Sequence, residues 1–75
     1  KELKMRRAML EALEKKYEAD IASADATINV YLSNSVGIGE HPQFIEELDK
    51  QMQIIADAQE KIEVLKSFEP ERSVL

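Results

Sequence analysis

The ten residues SNSVGIGEHP, at positions 33–42, divide this chain into two segments with helical patterns. The serines and the asparagine at positions 33–35 compete with a helix for backbone hydrogen bonds, and Gly37 and Gly39 permit positive φ. Pro42 suits the first position of a following helix, because its missing N–H would have no partner there. The stretch therefore predicts a loop that reverses the chain between two helices.

Helical spacing of apolar residues runs through the segment before this loop. The residues recur at steps of three and four, which places them on one face of a helix spanning about residues 2–32. Five further alanines in the same segment favour helix. The predicted contact row of this first helix consists of Leu10, Leu13, Tyr17, Ile21, Ala24, Ile28 and Tyr31.

A heptad pattern follows the loop and predicts a second helix over about residues 43–68. Gln59 is the polar member of this pattern, and we expect it to bond Tyr17 or a group of a partner chain. Pro70 ends the helix, because the residue before a proline disfavours the helical conformation, so residues 69–75 form a short tail. The apolar members of the second predicted row are Ile45, Leu48, Met52, Ile55, Ile62 and Leu65.

The predicted fold is all-α, an antiparallel two-helix hairpin that forms a single domain over residues 1–75. Antiparallel packing places Tyr31 opposite Ile45 and Leu48. The charge distribution supports the same arrangement, since residues 1–16 carry six basic and three acidic side chains, a net charge of +3 that leaves −8 on the rest of the chain. Positive charge is unfavourable at a helix N-terminus, and an acidic neighbouring helix relieves it.

The apolar surface is wider than one partner helix can cover. Phe44, Ile54 and Val64 adjoin the second row, and Met5 and Met9 begin another row on the first helix that the alanines at positions 12, 19 and 26 continue. A chain this short is marginally stable alone. With no cysteine and one histidine, disulfides are excluded and a structural zinc is disfavoured. We therefore expect hairpins to assemble into a four-helix bundle or a higher oligomer, with a dimer favoured.

The loop carries the residue types that are most often associated with chemistry. Gly37, Ile38 and Gly39 follow no strand and precede no Lys-Ser/Thr pair, so they predict a turn rather than a phosphate-binding loop. Glu40 and His41 stand at a helix entry, where we expect capping or exposure, and a metal site shared between copies in an oligomer is the alternative. No catalytic residue, cofactor or metal ligand is predicted, and an enzyme is the least favoured class.

Charge and hydropathy restrict the partners. The net charge of −5 disfavours nucleic-acid binding, and the basic arm, Lys1, Lys4, Arg6 and Arg7, has no interleaved aromatic residues. No apolar run approaches the ~18–20 residues of a membrane span, which predicts a soluble protein of the cytoplasm or of a virion. Three functions stay open: a self-associating structural protein, an adaptor for a different host or virion protein, and a nucleic-acid accessory protein acting through the basic arm.

The segment from Tyr31 to Phe68 resembles a family of small helical-hairpin proteins found mainly in tailed phages. It reads YLSNSVGIGEHPQFIEELDKQMQIIADAQEKIEVLKSF, and the run VGIGEHP followed by an acidic amphipathic helix carries the resemblance. About half of the chain is covered, and the first helix adds only a general likeness. The family has no assigned activity, so the resemblance implies a phage or prophage origin and no chemistry. A virion component and a small accessory factor both fit this origin.

Overall fold

The computed structural model describes residues 2–33 and 42–69, which form two helices packed antiparallel. α1 spans Glu2–Ser33 and α2 spans Pro42–Lys66, and no strand occurs in these two ranges. The all-α hairpin predicted from the sequence is confirmed. α1 extends one residue beyond its predicted end, α2 begins at the proline itself, and α2 ends two residues early. The loop predictions for Gly37, Ile38, Gly39 and His41 lie outside the described residues.

Contacts at both ends of the hairpin fix its antiparallel register. Next to the loop, the rings of Tyr31 and Phe44 pack with centroids 5.1 Å apart and a tilt of 43°. At the open end, a guanidinium nitrogen of Arg6 donates a hydrogen bond of 2.8 Å to the carbonyl oxygen of Phe68. Residues at the start of α1 therefore lie level with residues at the end of α2.

α1 faces its partner helix with the row that its sequence predicts. Ala24 and Ile28 are buried, with exposed fractions of 2% and 7%. Leu13 is the exception at 39%, because it borders an open groove rather than the closed part of the helix pair. The other members of the row are partly buried: Leu10, Tyr17, Ile21 and Tyr31.

α2 faces α1 with a row rotated from the predicted one. Ile45 and Met52 are 68% and 53% exposed, so their predicted place between the two helices of one hairpin is wrong, and Phe44 rather than Ile45 packs on Tyr31. Their part in an oligomer stays a prediction. The observed row is Phe44, Leu48, Gln51, Ile55, Ala58, Ile62 and Leu65.

Close packing explains this rotation. Ala24 and Ala58 are the most buried side chains among the described residues, at 2% and 3% exposure, and small side chains let two helix backbones approach closely. A row through Met52 and Gln59 would instead place the longer side chain of Gln59 where the small side chain of Ala58 packs. Protein interiors favour dense packing without voids, so α2 turns its alanine inward and leaves Met52 and Gln59 exposed.

Replacing Ala58 by Leu tests this close approach. The larger side chain overpacks the contact between the helices, and we expect Ala58→Leu to lower the free energy of unfolding by about 1–3 kcal/mol. Urea denaturation at one fixed protein concentration measures the change. Ala56→Leu is the matched control, since Ala56 is exposed on the same helix and Ala and Leu have similar helix propensities. Equal stability of the two variants would show that α2 does not pack through Ala58.

Candidate interaction surface

Backbone and side-chain hydrogen bonds hold the helices at the open end of the hairpin, which is the end away from the loop. After α2, the amides of Ser67 and Phe68 bond the carbonyl oxygens of Val64 and Leu65 at 3.0 Å each, which tightens the last turn. The Ser67 hydroxyl also donates to the Val64 carbonyl oxygen at 2.7 Å. Beyond these turns, the carbonyl oxygen of Phe68 accepts the hydrogen bond from Arg6. A cation suits this position because carbonyl groups concentrate negative potential at a helix C-terminus.

A cation–π contact joins the helices nearer the middle of the hairpin. The Lys61 ammonium lies 5.6 Å from the centroid of the Tyr17 ring, a distance at which the ring face attracts a cation. Gln59 is exposed. We predicted Gln59 beside Tyr17, but in the described ranges Lys61 lies there instead. The predicted bond between Gln59 and Tyr17 is therefore wrong, because α2 is rotated. A bond from Gln59 to a second chain stays a prediction.

A groove of about 500 Å³ opens between the helices toward the open end. A smaller depression of about 160 Å³ continues it toward the loop, adding Asp20, Ile54 and Ala58 and sharing three residues with the groove. The lining of the larger groove is mostly apolar: Leu10, Leu13, Tyr17, Asp57, Glu60, Lys61, Val64, Leu65 and Phe68. We call this side of the hairpin the groove face.

Exposed apolar side chains continue the groove face along both helices. Val64 and Phe68 are largely exposed, and both line the groove. On α1, Met9 and Met5 precede Leu13 at steps of four, the spacing of neighbours along a helix surface, and both are also exposed. The groove is therefore the centre of a longer apolar surface, with large side chains concentrated toward the open end.

Ile45 and Met52 lie on the other flank of α2. Met52 and the groove-face residue Ile54 are two positions apart, which separates their directions around an α-helix by about 160°. Both Ile45 and Met52 are exposed, and because they are seven residues apart they share one side. The hairpin consequently has two flanks, and only one of them contains the groove.

The charges beside the groove differ between the two helices. α2 contributes Asp57, Glu60 and Lys61 to the lining, and residues 57–69 together hold four acidic and two basic side chains, a net charge of −2. Residues 2–16 of α1 hold five basic and three acidic side chains, a net charge of +2. The α1 segment beside the groove is therefore net basic, whereas the α2 segment is net acidic.

Polar side chains of the described residues pair locally along each helix. Lys16 pairs with Asp20 at 3.2 Å, and the Asn29 amide donates to Asp25 on the same helix. In ranges 2–33 and 42–69, no cluster of three or more histidine or carboxylate side chains is arranged to hold a metal ion. Neither described helix combines the length and the apolar character needed to cross a bilayer.

The spacing of residues in the sequence also contains a signal for the groove face. Ile54, Asp57, Lys61, Val64 and Phe68 recur at steps of three, four, three and four, the pattern of a helix side. We predicted Ile54 and Val64 only as surplus apolar residues beside the contact row. The structure places the whole series along the groove and its continuation.

Comparisons with protein-family models, with curated protein sequences and with solved structures found no match. The functional proposal therefore rests on the surface of the hairpin itself. The resemblance of residues 31–68 to hairpin proteins of tailed phages stays a prediction.

Removing the Arg6 side chain tests the bond that closes the open end. We expect Arg6→Met to free the Phe68 carbonyl and to fray the last turn of α2. Loss of one exposed hydrogen bond, worth about 0.5–1 kcal/mol, lowers amide protection there about two- to fivefold in hydrogen exchange. Lys4→Met is the control, because Lys4 is another exposed member of the basic arm. The same loss in both variants would mean that net charge, rather than the Arg6 bond, holds this end.

Proposed function

We propose that this chain is a non-enzymatic structural or interaction protein whose hairpins self-associate through their amphipathic helices. A dimer that forms a four-helix bundle is the simplest assembly of this kind. The observation that carries the proposal is the surface left unburied. The chain exposes 6018 Å², whereas a compact monomer of the same mass would expose about 4,700 Å².

The composition of the hairpin core supports the proposal. Among the described residues, the buried apolar side chains are Ala24, Ile28, Ala58 and Leu65. Two of the four are alanines, which bury little apolar area, and burial of apolar area is the main favourable term in folding. Large apolar side chains lie exposed on the two helices and in the turn after α2: Leu3, Met5, Met9, Leu13, Val30, Leu32, Ile45, Met52, Ile54, Val64 and Phe68.

Size explains why these exposed side chains favour assembly. A chain of 75 residues is near the lower limit at which a single core stabilises a fold, and oligomerisation is one of the usual remedies. The radius of gyration of 17.0 Å, against about 11 Å for a compact domain of this length, shows an open rod. Two rods side by side would each cover the apolar face of the other.

The contact that Arg6 makes favours pairing of the basic arm within the chain over binding of the arm to nucleic acid. Arg6 already bonds the end of α2, and the groove beside it is acidic on the α2 rim. On the resemblance of residues 31–68, we place the assembly in a tailed phage or prophage, as a virion component or a small accessory factor. A different protein on the same apolar surface is the remaining alternative.

Light scattering at two protein concentrations tests self-association. We expect a mass of at least twice the monomer mass of 8.6 kDa, and a thermal midpoint that rises with concentration because folding is coupled to assembly. A stably folded monomer at high concentration would overturn the proposal. A partly molten monomer that folds only with another protein would favour an adaptor, and tight binding to nucleic acid that falls steeply with salt would favour the accessory role.

A further inference from the structure

We infer that the groove face pairs with the same face of a second copy, with both loop ends on the same side of the dimer. In this arrangement α1 of each chain packs on α2 of the other. The inference rests on the proposed self-association and adds the surface, the orientation and the contacting segments. Three properties of the groove face support it: its area, the position of its apolar side chains and its charges.

The groove face is large enough for a stable dimer. The hairpin measures 55 × 18 × 16 Å, so one broad side offers about 1,000 Å², and a standard stable interface buries about 800 Å² per partner. A symmetric dimer uses the same patch on both subunits, so the patch must complement itself. The groove face does so in shape, since it has a depression between the helices and, beside it, the long flexible side chains of Met5 and Met9, a residue type that fills irregular gaps.

The position of the large apolar side chains selects the orientation. Met5, Met9, Val64 and Phe68 all lie toward the open end, where Arg6 meets the end of α2. A two-fold axis parallel to the hairpin keeps every residue at its own level, so Met9 of one copy lies beside Phe68 of the second copy.

The opposite orientation matches these side chains poorly. A two-fold axis perpendicular to the hairpin would carry Met9 and Phe68 to the loop half of the second copy. Helical spacing places Ser23, Val30 and Lys50 on the same flank there, and all three are exposed. The apolar groove would then face one large apolar side chain, Val30, among small and polar ones, so the large apolar side chains of the two copies would meet less completely.

Net charge favours the same orientation. With the loop ends together, residues 2–16 of each copy lie beside residues 57–69 of the other, and these segments carry total net charges of +2 and −2. With the loop ends apart, α2 would stack on α2, and residues 43–69 carry seven acidic and three basic side chains, a net charge of −4 in each copy. Like charges facing each other in an interface are unfavourable and favour the complementary arrangement.

Thiol cross-linking distinguishes the orientations, because the sequence has no native cysteine. Met9→Cys and Phe68→Cys chains are mixed in denaturant, refolded together and treated with a short bis-maleimide. We expect a cross-linked heterodimer from this pair. Met9→Cys mixed with Val30→Cys reports the opposite orientation, in which α1 packs on α1. Met9→Cys mixed with Ile45→Cys is the control, since Ile45 lies on the flank away from the groove.

The outcomes separate this inference from the proposed self-association. A mass above the monomer together with cross-linking of Met9 to Val30, or to Ile45, or with no cross-link at all, overturns the inference and leaves self-association standing. A monomeric mass overturns both. Helix content measured by circular dichroism verifies that each cysteine variant folds, and all four positions are exposed in the hairpin.

A charge placed on each flank gives a second readout that needs no cross-linker. We expect Val64→Glu to weaken dimerisation about tenfold or more, because an unpaired charge would be buried in the interface. Ile45→Glu introduces the same charge on the opposite flank and should leave the dissociation constant within about twofold, as surface substitutions usually do. Sedimentation equilibrium measures both constants. Equal weakening, or a larger effect of Ile45→Glu, would exclude the groove face as the interface.

Discussion

An α-helix offers a single neighbour only one narrow stripe of its surface, and this limit governs the rest of the structure. The stripe that α1 and α2 share is narrower still, since its most buried members are Ala24 and Ala58. Alanines let the backbones approach closely but bury little apolar area. Tight packing and a small core therefore arise together, and most of the large apolar side chains of the described residues remain exposed.

The sequence was sufficient to predict the hairpin, the helix ends to within two residues, and the contact row of α1. It was not sufficient for the rotation of α2. Apolar character favours a row through Ile45 and Met52, whereas close packing favours the row through Phe44 and Ala58. The two candidate rows share Leu48, Ile55, Ile62 and Leu65, so they differ by only about 50° of helix rotation. The size of Ala58 decided between them, and its small size matters only once the approach of α1 is known.

The rotation of α2 also determines which of its apolar side chains lie on the groove face. With Ile45 and Met52 turned inward, Val64 and Phe68 would lie on the back of α2, far from α1. The observed rotation moves them beside Leu13, where they line the groove. Sequence spacing identified Ile54 and Val64 as apolar residues in excess of one contact row, but it could not assign them to a flank. A groove between two helices depends on how each helix is rotated about its own axis. The sequence predicted this rotation for α1 but not for α2.

The flank away from the groove is poorly suited to form a second interface between hairpins. Ile45 and Met52 remain exposed there after two groove faces pair, but they do not form a continuous apolar surface. Helical spacing places Asp49, Gln59 and Glu63 on the same side of α2, and all three are exposed. Isolated apolar side chains among polar ones are ordinary on protein surfaces. The groove face, in contrast, combines a depression, four large apolar side chains toward one end and helix segments of opposite net charge on its two sides. The two flanks thus differ in kind, which favours a closed dimer over an assembly that continues to add hairpins through both sides.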